Sequence, residues 1–129
     1  MSAIPGVGWA TPGSFQLGRG KTLKIPFELH KMGRSKLLEK FAVAGKNGVI
    51  LLEGGKQKTQ YDSDTEIIFR QDSWFNYMFG VKEPEMFGAL STRTGKTTLF
   101  IPKLSPEWAI WCGEIYPPSY FEKLYEMDQ

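Results

Sequence analysis

The sequence has little of the chemistry that metal and redox sites need. Its 129 residues include one cysteine, Cys112, and one histidine, His30. A single cysteine excludes a disulfide within the chain, and a zinc site of about four Cys and His ligands cannot be assembled. Only carboxylates, with or without His30, remain as candidate metal ligands. A lone thiol is also typical of a protein that stays in a reducing compartment.

Long apolar runs and an N-terminal leader are absent as well. No run approaches the ~18 apolar residues that a membrane span needs. Residues 1–14 carry no charged side chain, so they lack the basic start of a signal peptide. We therefore expect a cytoplasmic protein without a membrane partner. Glycine and proline are concentrated in the same residues, which predicts a flexible N-terminal tail over 1–14 and a folded domain over 15–129.

The sequence does contain the apolar residues of one globular domain and an uneven distribution of charge. Hydrophobic residues make up 41% of the chain and aromatic residues 14%, which argues against disorder. Residues 19–58 carry ten Lys or Arg and three Glu, a net charge of +7, whereas residues 59–129 carry six against eleven acids, a net charge of −5. The halves can attract each other within one fold, or the basic half can contact an acidic partner. Most aromatic residues lie in the acidic half, which disfavours nucleic-acid binding.

Helix signals recur along the chain. Pro26 and the apolar residues that follow it at helical spacing predict an amphipathic helix over 27–44. Its basic residues are expected on the solvated side: Lys31, Arg34, Lys36 and Lys40. Further short helices are predicted at the following capping residues: Asp72 or Ser73, Ser105 and Ser119. The first of these short helices is rich in aromatic residues, so we expect it to be covered on most sides.

Strand signals alternate with the helices. Apolar runs bounded by turn residues predict a buried strand at 49–52 and a second strand at 67–70. The runs 86–90 and 97–101, with a turn near Gly95, predict a β-hairpin. This order of elements predicts an α/β or α+β domain with a small mixed sheet covered by helices.

Two motifs are weak candidates for chemistry. Residues 94–97 read TGKT, like the end of a phosphate-binding loop, but position 90 is Leu90 rather than the glycine of that motif, so a hairpin turn is favoured. A nucleophilic pair of Cys112 and His30 is formally open. No local pattern supports the pair, and both residues suit the apolar side of a helix.

The acidic residues leave a carboxylate metal site or an acid/base pair open. The candidates are Asp62, Asp64, Asp72, Glu83, Glu85 and Glu107. Asp62 and Asp64 lie in a composition typical of turns, which explains them without a function.

Two tryptophans are the remaining candidates. Trp108 and Trp111 are three residues apart, so they share one side of a helix. We expect one of them to be a core residue, while the other can project into a cleft. An indole there would offer a flat apolar face and one donor for a proline ring or a similar group.

Longer runs of residues identify a family. Residues 69–81 read FRQDSWFNYMFGV, residues 95–102 read GKTTLFIP, and Trp111-Cys112-Gly113 follows. Together they resemble the N-terminal domain of the prolidases, the Xaa-Pro dipeptidases, and more broadly the aminopeptidase P and creatinase N-terminal domain. The likeness spans most of residues 13–128. It implies an α/β fold with a mixed β-sheet of about six strands flanked by helices.

The resemblance also implies where the chemistry lies. In this family the domain precedes a larger catalytic domain whose Asp, His and Glu ligands hold two metal ions, usually manganese. We therefore expect no catalytic and no metal-binding residue in this chain, a C-terminal catalytic domain beyond Gln129, a homodimer and an Xaa-Pro dipeptide substrate. Trp111 matches the tryptophan of the family's W-x-G segment, which lies near the substrate. Glu114 departs from the family pattern, which is often basic at this position.

Two functions follow as hypotheses. The first is the non-catalytic N-terminal domain of a manganese-dependent Xaa-Pro dipeptidase, which contributes to the rim of the substrate pocket and to dimerisation. The second is a catalytically inactive protein-binding domain of the same fold, as in a histone chaperone subunit, with the basic half as its interaction surface. The prolidase-like runs at 69–75 and 111–113 favour the first.

Overall fold

A computed structural model describes residues 9–11, 13–17 and 22–129 of the chain. The first sheet is antiparallel and joins, in spatial order, β1 (Trp9–Thr11), β2 (Ser14–Gln16) and β3 (Ile25–Pro26). The predicted tail over 1–14 lies partly outside the described residues. Its described part supplies β1 and the beginning of β2.

Two helices follow the predicted pattern closely. α1 (Glu28–Val43) begins just after Pro26, and Gly45, with a φ of +62°, follows its end, which confirms the helix predicted over 27–44. α2 (Ser73–Phe79) is bounded by two residues with local roles. The Asp72 carboxylate accepts a hydrogen bond from the Phe75 N–H at 2.9 Å, and Gly80 ends the helix in the left-handed region with a φ of +71°.

The packing of α1 against α2 differs from the prediction at Arg34. This residue was expected on the solvated side of α1, but its side chain is 7% exposed. Its Nη1 donates to the Met78 carbonyl at 2.7 Å. The carbonyls near the end of α2 need donors when they are buried, and a long guanidinium can supply one. Gly33 lets the helices approach, because a Cβ there would lie 3.1 Å from the Tyr77 ring.

The aromatic residues of α2 are covered on one side only. Phe75, Met78 and Phe79 are buried, whereas Trp74 is 71% exposed and Tyr77 is also open to solvent. The prediction that this helix is covered on most sides is therefore wrong. A seven-residue helix buries only the residues that face its packing partners, which here are α1 and the second sheet.

The second sheet contains the predicted hairpin. It is antiparallel and joins, in spatial order, β4 (Val49–Glu53), β5 (Phe87–Ser91) and β6 (Thr97–Phe100). The strand predicted at 67–70 does not form, and Ile68 is 87% exposed. A short apolar run becomes a strand only where another strand supplies backbone partners. The described residues thus hold two three-stranded antiparallel sheets rather than one mixed sheet of six strands.

The two faces of the second sheet have different environments. Ile50, Leu52, Leu90 and Leu99 point inward and pack in or against the core. We call the other side the outer sheet face, and its exposed apolar residues are Val49, Leu51, Phe87 and Phe100. The strand predicted as buried at 49–52 is therefore only half-buried at Ile50 and Leu52 and is exposed at Val49 and Leu51, an alternation that strand geometry requires for a sheet covered on one side.

The C-terminal third adds three short elements. These are a 3-10 turn (Pro106–Trp108), α3 (Ala109–Cys112) and α4 (Pro118–Tyr125), close to the predicted helix starts. Residues after α4 lie along β6, because Leu99 N–H donates to the Gln129 carbonyl at 2.8 Å. The core lies between the inward face of the second sheet and the helices; its buried members are Phe15, Phe27, Phe75, Met78, Phe79, Val81, Met86, Leu90, Leu124, Tyr125 and Met127. Among the described residues, no helix has the length and apolar character needed to cross a membrane.

Candidate functional site

Trp111 lies on α3, a four-residue helix between β6 and α4. Pro106 opens the preceding 3-10 turn, where its fixed φ suits the first helical position. Gly113, with a φ of +77°, ends α3. Trp111 is 83% exposed, so this helix presents its indole to solvent.

The neighbouring residues complete a surface around Trp111. Glu107, Trp108 and Trp111 line an open depression with a volume of about 290 Å³. We call Glu107, Trp108, Ile110 and Trp111 the α3 surface. Trp108 is 51% and Ile110 82% exposed. The expectation that one of the two tryptophans is a core residue is therefore wrong, because neither indole packs among the core residues.

Both ends of the α3 surface are attached to ordered elements. On the N-terminal side the chain comes from β6. On the C-terminal side the rings of Tyr116 and Tyr120 stack at 4.1 Å, and Tyr120 meets Phe121 edge-on at 5.3 Å. Tyr120 and Phe121 pack against the core. The exposed indoles thus stand on a supported scaffold, which suits a binding surface.

The segment that carries the α3 surface has a small net negative charge. Residues 103–123 contain Glu107, Glu114 and Glu122, with Lys103 and Lys123 at the two ends, a net charge of −1. Indole faces bind flat apolar groups, and they also attract cations. The surface can therefore accept an apolar ring, a cation, or a ligand that combines the two.

Away from the α3 surface, Tyr125, Glu83 and Lys82 form a polar cluster inside the domain. The Tyr125 hydroxyl donates to Oε2 of Glu83 at 2.7 Å and accepts from the Lys82 N–H at 3.3 Å. Burial raises the pKa of Glu83, partly opposed by the hydrogen bond from Tyr125. Burial also raises the pKa of Tyr125, with the charge of Glu83 in the same direction. The cluster joins α4 to the loop before β5, which is a structural role.

Lys82 closes this cluster on its other side. Its Nζ donates to Oδ1 of Asn76 at 2.6 Å and lies 4.7 Å from the centre of the Phe15 ring. Burial lowers the pKa of Lys82, partly opposed by the charge of Glu83. The sequence analysis names Glu83 as an acidic residue of a loop but does not predict this cluster, because no local sequence pattern connects Glu83 with Tyr125.

His30 is occupied by a structural contact. Its Nδ1 donates to the Tyr77 carbonyl at 2.9 Å, and burial lowers its pKa, partly opposed by that hydrogen bond. Gly80 makes room for the ring, because a Cβ there would lie 2.4 Å from it. Cys112 lies in α3, and its side chain is outside the described part of the structure. The contacts of His30 therefore support its structural interpretation.

The remaining candidates do not form a site. Asp62 and Asp64 lie exposed in a turn. Thr94 and Gly95 form the hairpin turn, with a φ of +73° at Gly95, as the hairpin interpretation predicts. Across the described ranges, no three His, Cys, Asp or Glu side chains come together in a way that could hold a metal ion.

The fold and the sequence define a known class of domain. The family described as "Aminopeptidase P, N-terminal domain" matches residues 30–129. The chain belongs to this family, and the resemblance found in the sequence is confirmed.

Relatives of known name agree with the family match. The chain is 40% identical to the Xaa-Pro dipeptidase of Mus musculus over 121 residues, which cover 89% of this chain and 24% of that protein. It is 38% identical to the Xaa-Pro dipeptidase of Homo sapiens over 122 residues, which cover 92% of this chain and 24% of that protein. The chain thus spans about a quarter of the length of these relatives.

Solved structures give the same fold. Aminopeptidase PepP of Pseudomonas aeruginosa superposes with a TM-score of 0.67 at 27% identity, over 81% of this chain and 23% of that chain. Aminopeptidase P from Escherichia coli superposes with a TM-score of 0.68 at 22% identity, over 83% of this chain and 24% of that chain. These likenesses confirm the predicted α/β class of the aminopeptidase P N-terminal domain.

Proposed function

We propose that this chain serves as the non-catalytic N-terminal domain of a larger, cytoplasmic Xaa-Pro dipeptidase, in which the α3 surface forms part of the substrate-pocket rim. The observation that carries the proposal is the 83% exposure of Trp111 on a supported element of this fold. Trp111 is not exposed alone: Trp108 and Ile110 are exposed beside it on the α3 surface. A group of neighbouring exposed apolar side chains commonly marks a contact with a ligand or another chain.

The proline ring of an Xaa-Pro dipeptide is a suitable partner for this side chain. The ring is compact and apolar, and an indole face offers it a large flat contact without competing for hydrogen bonds. In this proposal Trp111 orients the substrate and takes no part in proton transfer or bond cleavage.

The proposal places the manganese ions outside this domain. The described residues bring no metal-ligating cluster together, so the donors they offer do not fit a two-metal centre. We assign the manganese ions and the hydrolytic step to the C-terminal catalytic domain of the longer protein.

The outer sheet face supports the proposal that further protein covers this domain. Leu51 is 62% and Phe100 51% exposed, and Val49 and Phe87 adjoin them. Contiguous apolar residues of this kind commonly mark a surface that contacts protein. We propose that the catalytic domain or the second subunit of a homodimer covers this face.

The test uses the full-length protein with manganese and Gly-Pro as substrate. Trp111→Ala should raise KM several-fold and change kcat much less, because the lost contact binds the substrate before and during the reaction alike. Trp74→Ala is the matched control, since Trp74 is also a largely exposed indole, at 71%, but lies on α2.

Two results would contradict the proposal. Equal kinetics of wild type and Trp111→Ala would remove this residue from the substrate site. Robust Gly-Pro hydrolysis by the 129-residue chain alone would show that the chain is itself catalytic.

The second hypothesis, a catalytically inactive protein-binding domain, draws on the same exposed outer sheet face and on the net charge of +7 over residues 19–58. It predicts a full-length protein that binds a protein partner in a salt-sensitive way and hydrolyses no Xaa-Pro dipeptide. The Gly-Pro assay therefore separates the two functions.

A further inference from the structure

We infer that the α3 surface selects a positively charged side chain, so that Glu107, Trp108 and Trp111 together bind the ammonium or guanidinium group of a Lys or Arg residue that precedes proline in the substrate. This inference rests on the proposed function. It adds a substrate preference and assigns a role to Glu107 and Trp108.

The first argument is the composition of the depression. Its lining combines two indoles and one carboxylate. A cation over an indole face is attracted by the ring's quadrupole, and a carboxylate beside it adds a charge-assisted hydrogen bond. Lys and Arg side chains also carry apolar stems, which can lie along the indoles while the charged group reaches the acid.

The second argument is the state of Glu107. In the described part of the chain, the ion pairs join Lys31 with Glu28 and Glu126, and Lys56 with Glu53. Glu107 belongs to none of them and is exposed at the edge of the depression. Its carboxylate can therefore pair with a cationic ligand without first breaking one of these ion pairs.

The third argument is the charge of the surrounding segment. Residues 103–123 hold three Glu and, at the two ends of the segment, two Lys, so the net charge is −1 and the acid that lines the depression is Glu107. A neutral ligand that covered Glu107 would remove water from the carboxylate without replacing its hydrogen bonds, and an acidic ligand would be repelled. A cationic ligand avoids both costs, so charge favours it over ligands of the same size.

The binding test uses the 129-residue chain and NMR of its indole N–H groups, assigned with Trp→Phe variants. The probes are the N-acetyl amides of arginine, norleucine and glutamate. The arginine probe should shift the Trp108 and Trp111 signals and leave the Trp74 signal in place. The norleucine probe should bind about fivefold more weakly, and the glutamate probe should produce no shift.

The charge test compares two variants of the same chain. Glu107→Gln should weaken binding of the arginine probe about fivefold, and added salt should weaken wild-type binding in the same direction. Glu39→Gln, on the exposed side of α1, should leave that binding as in the wild type. Equal binding of the arginine and norleucine probes, or an unchanged affinity in Glu107→Gln, overturns the inference.

The kinetic test uses the full-length protein with Arg-Pro and Leu-Pro. Glu107→Gln should lower the ratio of their kcat/KM values about fivefold, whereas Glu39→Gln should not change it. If Leu-Pro is hydrolysed and the ratio does not respond to Glu107→Gln, the inference fails and the proposed function stands. If no Xaa-Pro dipeptide is hydrolysed, both fail.

Discussion

The hydroxyl of Tyr125 donates a hydrogen bond to Oε2 of Glu83 at 2.7 Å, across 42 residues of sequence. Tyr125 is 1% exposed. In the described part of the chain the other carboxyl oxygen, Oε1, is buried without a hydrogen-bond partner. This bond is therefore the leading polar interaction that offsets burial of the acid, and it attaches the end of α4 to the loop before β5.

Removing that bond should destabilise the domain. Tyr125→Phe keeps the ring and deletes the oxygen, which leaves Glu83 and the Lys82 N–H without their partner. We expect the free energy of unfolding to fall by about 1–3 kcal/mol, the usual cost of an unpaired buried polar group. Urea denaturation followed by circular dichroism measures it. Tyr61→Phe, at a side chain 92% exposed, is the control; an equal effect in both variants would contradict the assigned role.

Glu83 should also make stability depend on pH. Burial raises its folded-state pKa above the ordinary value of 4.5, so the folded domain holds the proton more tightly than the unfolded chain does. The resulting contribution to stability is complete below pH 4.5 and is lost as pH rises through the folded-state pKa. Glu83→Gln should flatten the dependence of the unfolding midpoint on pH in this window. A parallel decline in wild type and variant would refute this cause.

The contribution of Asp128 to stability should depend on pH in the opposite direction. Its Oδ2 accepts from the Thr97 hydroxyl and N–H at 2.6 and 2.7 Å, and these bonds lower its pKa from 3.8. Its contribution is therefore present above pH 3.8 and is lost as pH falls through the lowered value. Asp128→Ala should cost about 1 kcal/mol near neutral pH, because Thr97 is buried. Asp64→Ala, in an exposed turn, should cost much less in the same denaturation assay.

Gly88 should tolerate no side chain. It lies on β5, and a Cβ there would lie 2.5 Å from the Phe79 ring, which is itself buried. Gly88→Ala should therefore destabilise the domain by about 1–3 kcal/mol through overpacking. Gly48→Ala serves as the matched control, because nothing lies within 4 Å of the added carbon. Thermal unfolding of the two variants gives the comparison, and similar midpoints would argue against close packing of α2 on the sheet.

The elements with local signals could be read from the sequence. α1 was predicted over 27–44 and runs Glu28–Val43. The hairpin of β5 and β6 was predicted as well, and of the two predicted caps of α2, Asp72 and Ser73, the structure has Asp72. These features depend on residues a few positions apart, such as a capping carboxylate and the N–H group three residues later. The family match also followed from the sequence, because the runs that carry it are contiguous.

Long-range contacts decided the rest. Arg34 is buried where it meets the Met78 carbonyl 44 residues away. The run at 67–70 stays out of the sheets, because among the described residues its one hydrogen bond to another backbone group runs from the Ile67 N–H to the Lys58 carbonyl, and it pairs with no strand. The spacing of Trp108 and Trp111 predicted that they share one side of a helix, with one in the core and one in a cleft, and the resemblance pointed to Trp111. Only the tertiary structure showed that both are exposed and that Glu107 lines the same depression. The sequence by itself determined the helices, the hairpin and the family, since their causes are local or contiguous. Burial, pairing and the shape of the α3 surface depended on which distant segments meet, which only the packed chain decides.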